Sequence, residues 1–582
     1  MAIAQPIVKR IDDNIEALTE FEKQIKQSET ENTKKVILNF PTVYVHNRKA
    51  SDDYEVYVGE SNNVLQRTKQ HFDEIANSKS WQNKLIRDDA SLYIIGHEHF
   101  NKSLTLDIEN RLINYMMSVE CVKRVYNGRG NPQNEYYPVD EFETIFNEIW
   151  RKLRTYNREL FPTVSSIKDS AIFKASPLHK LTADQEQAKA QIIQMVEDAL
   201  RNNKMNQLVF VDGEAGTGKT VLNSSTFYEL YCNAEEREQN ISCWLLVNHD
   251  EQVTVYQQIA DKLGITDKYG NVVCKPTTFI NNHNSDNPVD VVFVDEAHLL
   301  LTQGKQSYQG NNQLQDIVER ARVTVVMFDE NQILSTEQFW ESQILDGFRE
   351  KSKRSNSYIT LNEQLRMHVD PLTQDWIDSF TKRREVKKIP KDSKGYEIKV
   401  FDTPEELDYQ IQLKANDPDT SLSRLIATYD WEYSSNHRPE ERMTRYWEVL
   451  IGNWRKPWNR ELDKELNRAE KRRNKRLAWA EQPQTIHEVG STFTIQGFDL
   501  NYAGVILGPS VKYEEGRIVF KPENSFDEKA VRNRTLSDNT KQKFGEVLIQ
   551  HAVRVLMTRG VNGLYIYACD PELRRVLKEA TL

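Results

Sequence analysis

The chain has 582 residues, of which 38% are hydrophobic, 10% aromatic and 28% charged, with a formal net charge of -10. That length exceeds what one core supports and implies roughly three or four domains, while the acidic balance excludes a global basic field, so any polynucleotide groove must come from local Lys/Arg clusters. Cys121, Cys232, Cys243, Cys274 and Cys569 are scattered without a C-x-x-C pair, the N-terminus lacks a signal-peptide core, and no run of about 18 apolar residues occurs. A disulfide framework, a structural zinc site and a membrane span are thereby argued against, and a cytoplasmic protein is expected.

Residues 1–40 are mostly polar, but Ile11, Ile15, Leu18, Phe21 and Ile25 recur at helical spacing, which predicts an N-terminal amphipathic helix docked on a neighbouring domain, with a partner-binding arm as the alternative. Thr42–His46 and Glu55–Gly59, each with a tyrosine, predict two strands joined by the polar turn NRKASDD. The helix predicted over SNNVLQRTKQHF puts Arg67 and His71 one turn apart on one face. A further helix, SLTLDIENRLINYM, carries Glu109 beside its apolar face, and NGRGNPQNEYY reads as a loop.

In that order, Tyr44, Tyr57, Gly59, Arg67, His71 and Glu109 resemble the GIY-YIG nuclease domain across residues 41–150, with Thr42-Val43 where Gly-Ile is usual. The resemblance implies a small α+β nuclease fold. In it Tyr44 is the base with Tyr57 nearby, Arg67 stabilises the transition state, His71 assists and Glu109 holds magnesium. Asn131 corresponds to a loop asparagine near the same site. Phosphodiester cleavage needs such a set: a base for water, a cation for the phosphorane charge, and an oxygen ligand for a hard metal. Taken alone, the same residues also suit a small α/β domain whose tyrosines pack in a hairpin. Residues 151–180 run from the end of a helix, FNEIWRKLRTY, into an aperiodic stretch that reads as an interdomain linker.

From Leu181 the pattern changes. LTADQEQA opens a helix, and Leu208–Val211 predicts a buried parallel strand that breaks into Gly213–Gly218 before Lys219-Thr220. The spacing G-x-x-x-x-G-K-T is that of a phosphate-binding P-loop. Gly213 and Gly218 free the backbone to turn amides inward, with Gly216 between them in the same cradle. Lys219 reaches the β- and γ-phosphates of ATP, and the Thr220 hydroxyl can ligate Mg2+. Trp244–Val247 predicts the next strand. DVVFVDEAH delivers two carboxylates to a strand tip, Asp295 to hold magnesium through water and Glu296 to position or deprotonate the attacking water.

These elements resemble superfamily 1 helicases over residues 181–582. LTADQEQA is similar to the Q motif, in which Gln185 would read the adenine edge, although Thr182 or Asp184 as a helix N-cap explains the stretch equally well. VTVVMFDENQIL, ending at Asp329 and Gln332, is similar to motif III, whose glutamine senses the γ-phosphate. Arg366 in TLNEQLRMH matches the arginine of motif IV. GSTFTIQGFDL resembles motif V, with Gln496-Gly497 before Asp499, but has Ser491 and Phe493 where Thr and His are usual. QHAVRVLMTRG matches motif VI, with Arg559 as second arginine finger.

Between these motifs, an insertion near 430–482 interleaves Trp431, Trp447, Trp454, Trp458 and Trp479 with Lys and Arg, ending in Lys471–Arg476. It reads either as a single-strand stacking surface or as a solvated face, since Glu461, Asp463, Glu465 and Glu470 share it. The expected architecture is therefore α/β: a nuclease-like domain, then RecA-like parallel-sheet lobes at 181–358 and 359–582. The combination of Q-R in motif IV and T-R-G in motif VI makes residues 181–582 similar to the Schlafen-type DNA/RNA helicase group. That resemblance implies ATP and Mg2+ as cofactors and DNA or RNA as partner, and it admits a homo-oligomer or a partner defence protein. A bacterial role against phage is implied, with repair as its rival. An NTP-controlled binding switch is the competing class of function.

Overall fold

The computed structural model describes residues 4–73, 81–86, 89–128, 133, 136–304, 308–435, 437, 439, 445–475 and 477–581, so Asn131 and Arg476 lie outside the described residues. The chain divides into two compact units. One comprises Met1–Thr182, Tyr228–Arg237 and Val255–Val272, and the other Ala183–Phe227, Glu238–Thr254 and Val273–Leu582.

The first unit is built on a mixed sheet of β1 (Ile7–Asp12), β2 (Thr42–Ala50), β3 (Asp53–Ser61), β4 (Ala90–Gly96) and β5 (Val122–Val125), in the order β1-β4-β2-β3-β5. β4 is buried at every position and apolar but for Ser91, which suits its place between two neighbours. β2 and β3 pair in register from Thr42↔Ser61 to Ala50↔Asp53, leaving a turn of Ser51 and Asp52. The ladder thus runs through most of the polar stretch that the sequence assigns to a loop. Tyr44 lies opposite Gly59, where a Cβ would come within 2.6 Å of the tyrosine ring, so only glycine lets that ring cross the partner strand.

Two expectations change here. Residues 1–40 dock on the neighbouring sheet rather than standing off as a partner-binding arm, and they add a strand: β1 pairs with β4, and the helix Ile15–Ser28, capped by Asn14, buries Leu18, Phe21 and Ile25 in one cluster with Tyr44, Val64 and Leu92. Ile11, counted with the helix, belongs to the strand. Nor is 151–180 an open linker. After the helix Phe142–Tyr156 the chain buries Leu160 and Phe161 completely and forms two short helices, Val164–Asp169 and Ala171–Lys174, too brief to show periodicity. Segments 228–237 and 255–272, read from sequence as part of the 181–358 lobe, cluster with this unit. Within it, the buried Lys262 ammonium donates to the Met117 and Val119 carbonyls at 2.8 Å each, capping the end of the helix Lys102–Ser118.

The second unit contains two all-parallel sheets. The first has β6 (Gln207–Gly213), β7 (Cys243–Leu246), β8 (Val273–Cys274), β9 (Val289–Val294), β10 (Ala321–Phe328) and β11 (Tyr358–Leu361), ordered β11-β6-β10-β9-β7-β8. β9 and β10 are nearly continuous apolar runs because helices cover both faces of such sheets.

The second sheet begins with β12 (Glu397–Val400) and β13 (Arg424–Ala427). After the hairpin β14 (Glu448–Ile451)–β15 (Trp454–Pro457) come β16 (Val489–Gly490) and β17 (Leu500–Leu507). Hairpins β18 (Val511–Glu514)–β19 (Arg517–Phe520) and β20 (Asn533–Thr535)–β21 (Lys541–Lys543) precede β22 (Gly560–Ala568), and the sheet order is β12-β22-β17-β13-β16.

The tryptophans of the insertion serve this core rather than a stacking surface. Trp458 and Trp479 are fully buried, Trp454 joins Trp458 in a cluster with Leu425, Val449 and Ile506, and Trp431 and Trp447 pack partly buried against it. Lys471, Arg472 and Arg473 lie exposed on the short helix Arg468–Asn474, the solvated alternative.

Candidate functional site

The loop between β6 and the helix Lys219–Glu236 takes its shape from Gly216 and Gly218, at φ +87° and +77°. Gly213 has no such backbone demand, contrary to the sequence expectation; its missing Cβ makes room for Thr217 Oγ1, which would lie 2.8 Å away. Lys219 folds back on the loop, its Nζ donating to the Gly213 and Glu214 carbonyls at 2.6 and 2.8 Å. Thr220 follows it in the first helical turn. Gln185, buried, donates its Nε2 to the Thr217 carbonyl at 3.2 Å, so this amide braces the loop.

The segment after β11 lies directly on the P-loop. Gln364 Nε2 donates to the Ala215 carbonyl and Leu365 N–H to that of Gly216, both at 2.7 Å. This places Arg366 at the same mouth, with its Nε 2.7 Å from Asp499 Oδ1. From β9, Asp295 is buried, and Glu296 adopts the left-handed conformation at φ 47°, ψ 48°, a strained state for a non-glycine residue. Burial alone would raise the Glu296 carboxyl, but His298 (Nε2 3.2 Å away), Lys219, Arg559 and Arg366 hold it below its ordinary range. It is therefore an ionised carboxylate at neutral pH.

From β10, Asp329 accepts from Gln332 Nε2 at 2.8 Å, and Gln332 Oε1 accepts from Arg559 Nη2 at 2.9 Å. Gln496 Nε2 donates to the Gln332 carbonyl at 3.1 Å. Arg559 is wholly buried, and burial together with Arg366 lowers its pKa to about 10, still a cation under physiological conditions. Lys219, Glu296, Arg366 and Arg559, remote in sequence, thus come within electrostatic reach of one another in the second unit, with Gln332 hydrogen-bonded to Arg559.

In the first unit, the Tyr44 hydroxyl and His71 Nε2 share a hydrogen bond of 3.0 Å. Gln82 Nε2 lies 3.3 Å from His71 Nδ1, a second hydrogen bond that fixes the ring. Burial, with His46 and Arg67, lowers the His71 pKa to about 3. Burial and Tyr57 push the Tyr44 phenol well up, while Arg67 opposes. Tyr57 stacks on Trp81 at 3.8 Å. Glu109, buried beside Glu60, has its pKa raised to about 7 against the pull of Lys102 and Asn127, whose Nδ2 donates to Glu109 Oε1 at 3.1 Å. Tyr44, Tyr57, Arg67, His71 and Glu109 are therefore neighbours.

Among the described residues no cluster of three or more His, Cys, Asp or Glu could hold a metal by protein ligands alone. The donors that are present, Thr220 and Asp295 in one unit and Glu109 in the other, suit Mg2+, which keeps waters and takes substrate phosphates as ligands. Sequence reasoning passed over Gln364 and His298, although both stand inside matched motifs. Asn127 comes to Glu109 only through the fold. Gln82 and Trp81 carry no sequence signal.

Residues 206–570, more than half of the chain, match the family described as Schlafen group 3, DNA/RNA helicase domain. The chain is 30% identical over 460 residues to an uncharacterized protein of Saccharomyces cerevisiae, covering 74% of this chain and 97% of that protein. Among solved structures it is similar to the Pif1 helicase of Candida albicans, at 16% identity and a TM-score of 0.20 over 41% of this chain and 55% of that one. A structure of two coordinating Pif1 helicases at forked double-stranded DNA matches at 12% identity and a TM-score of 0.27, over 69% of this chain and 94% of that one.

Proposed function

Because this chain belongs to the Schlafen group 3 DNA/RNA helicase domain family, we propose that it is an ATP-dependent helicase or translocase whose N-terminal unit is a magnesium-dependent GIY-YIG-type endonuclease acting on DNA or RNA. A nucleic-acid-acting, helicase-type NTPase follows from the family; the endonuclease, the metal and the translocation are the proposal.

The convergence of Lys219, Arg366 and Arg559 on an ionised Glu296 carries the motor reading. Lys219 exchanges the Gly213 and Glu214 carbonyls for phosphate oxygens when a triphosphate enters. Glu296 orients the attacking water and accepts its proton. Arg366 and Arg559 neutralise charge developing on the terminal phosphate. Bound magnesium would supply further neutralisation of the phosphates beside Thr220 and Asp295. Gln332, hydrogen-bonded both to Asp329 and to Arg559, registers loss of that phosphate and passes the change to Gln496 in the segment before β17. Opening and closing of the cleft then moves a bound strand.

The nuclease reading is supported by the Tyr44–His71 hydrogen bond beside Glu109 and Tyr57. A motor joined to a nuclease suits destruction of foreign nucleic acid, including phage genomes, or processing of damaged strands. One observation favours the switch instead. With its phenol pushed well up, Tyr44 stays protonated at neutral pH, and with a pKa of about 7 only about half of Glu109 is ionised there, which suits a binding module that nucleotide toggles.

Labelled single- and double-stranded DNA and RNA incubated with magnesium, ATP and wild type, Glu109→Ala or Lys219→Ala separate the two. Cleavage lost in Glu109→Ala and strand displacement lost in Lys219→Ala are expected. Hydrolysis without cleavage or displacement in the wild type overturns the proposal in favour of the switch.

A further inference from the structure

Glu214, the residue after Gly213, takes part in a charged assembly that none of the motifs accounts for. Its carboxylate is divided between two cations of the carboxy-terminal lobe, accepting from Lys382 Nζ on Oε1 and from Arg554 Nη2 on Oε2, both at 2.6 Å. Arg554 donates its Nη1 to Asp378 Oδ1 at 2.7 Å and to Thr381 Oγ1 at 3.1 Å, and Lys382 Nζ lies 3.3 Å from Asp378. Two acids and two bases therefore close a neutral quartet, with Arg554 buried and Glu214 half exposed. Gln550 fixes one corner by donating to the Thr381 and Lys382 carbonyls at 2.9 and 3.1 Å.

The quartet bears on nucleotide because Glu214 has two attachments. Its carbonyl accepts from Lys219 Nζ, the group that must turn to the phosphates, while its side chain holds the opposite lobe. The buried Asp329 carboxyl, which burial alone would raise, is held low by Lys219 and, more weakly, by Arg554, so the assembly lies within electrostatic reach of the phosphate site. A triphosphate entering there meets the Glu214 carboxylate as a like charge and Arg554 and Lys382 as opposite charges.

We propose that Glu214 is a resident competitor of the nucleotide. It clamps Arg554 and Lys382 to the P-loop, and a nucleoside triphosphate binds by displacing it and drawing those cations to its own charge. This rests on the P-loop being the nucleotide site. Apparent affinity then carries the fraction of molecules in which the clamp is open. Two partly exposed ion pairs each move an equilibrium roughly two- to fivefold.

The test is titration of the full chain with AMPPNP and with ADP, both with magnesium, for wild type, Glu214→Gln and Lys219→Ala, alongside thermal melting of each with and without AMPPNP. Glu214→Gln should bind AMPPNP about fivefold more tightly and ADP less so. It should also lower the melting temperature of the nucleotide-free protein without lowering that of the AMPPNP-bound protein. Unchanged or weaker AMPPNP binding by Glu214→Gln, or equal destabilisation with and without nucleotide, overturns the clamp; if wild type still binds and Lys219→Ala does not, the P-loop site stands. Absence of binding by all three overturns both.

Discussion

Replacing Glu109 by glutamine tests whether the first unit sacrifices stability to keep a carboxylate beside Tyr44. The residue is buried on the helix Lys102–Ser118, and desolvation, helped by Glu60, raises its pKa from the ordinary 4.5 to about 7. Below about pH 4.5 both folded and unfolded chains hold the proton, and the group does not influence stability. Between there and pH 7 the unfolded chain releases the proton more readily, so the native state loses ground as pH rises, and above 7 the loss is complete. The difference is worth about 3 kcal/mol. Glutamine keeps an acceptor for Asn127 Nδ2 and removes the charge. The unit's melting transition should therefore rise by roughly 5 °C or more at pH 8 in Glu109→Gln, change little at pH 4.5, and be accompanied by loss of cleavage. Thermal unfolding at both pH values without divalent cations, with a parallel cleavage assay, provides the measurement. Equal stabilisation at both pH values, or none at pH 8, would refute the desolvation argument.

Gly216→Ala should lose NTP hydrolysis more than about tenfold, since φ +87° and a Cβ 2.0 Å from Gln364 Oε1 add clash to roughly 1–2 kcal/mol of left-handed strain; steady-state hydrolysis at saturating ATP reads it. In Arg559→Lys an ammonium cannot reach Gln332 Oε1 and the Phe498 carbonyl together, so kcat should fall on the order of 10³-fold with nucleotide affinity changed much less. A fluorescent-nucleotide titration beside turnover separates the two effects. Trp458→Ala should cost about 3–5 kcal/mol in denaturant unfolding of the second unit, with no selective loss of oligonucleotide affinity while it stays folded. With its pKa near 3, His71 stays neutral across pH 5–8, so His71→Gln should lower cleavage without changing the shape of its pH profile there.

The phosphate loop and the strand bearing Asp295 and Glu296 were readable from the chain because strand, glycines and charged tip are contiguous, and a buried parallel strand must be an unbroken apolar run. Lys219, Thr220, Asp295 and Glu296 need only local geometry to reach the ends of their strands. The same holds for Tyr44 and Gly59, whose facing positions follow from one hairpin, although the hairpin is longer than its polar middle implied.

What the order of residues could not decide is which distant groups become neighbours. β1 joins a sheet with β4 across some 80 residues because an apolar edge needed cover, and the insertion tryptophans turn inward because their area is worth more in a core than in water. In the quartet of Glu214, Arg554, Lys382 and Asp378 the first two stand at motif positions without an assigned role and the last two outside any motif, and folding alone sets them within hydrogen-bond reach of one another. Local pattern is dictated by backbone geometry and burial, which act over a few residues, whereas ion pairs and pKa shifts depend on distances in space, which only the packed chain defines.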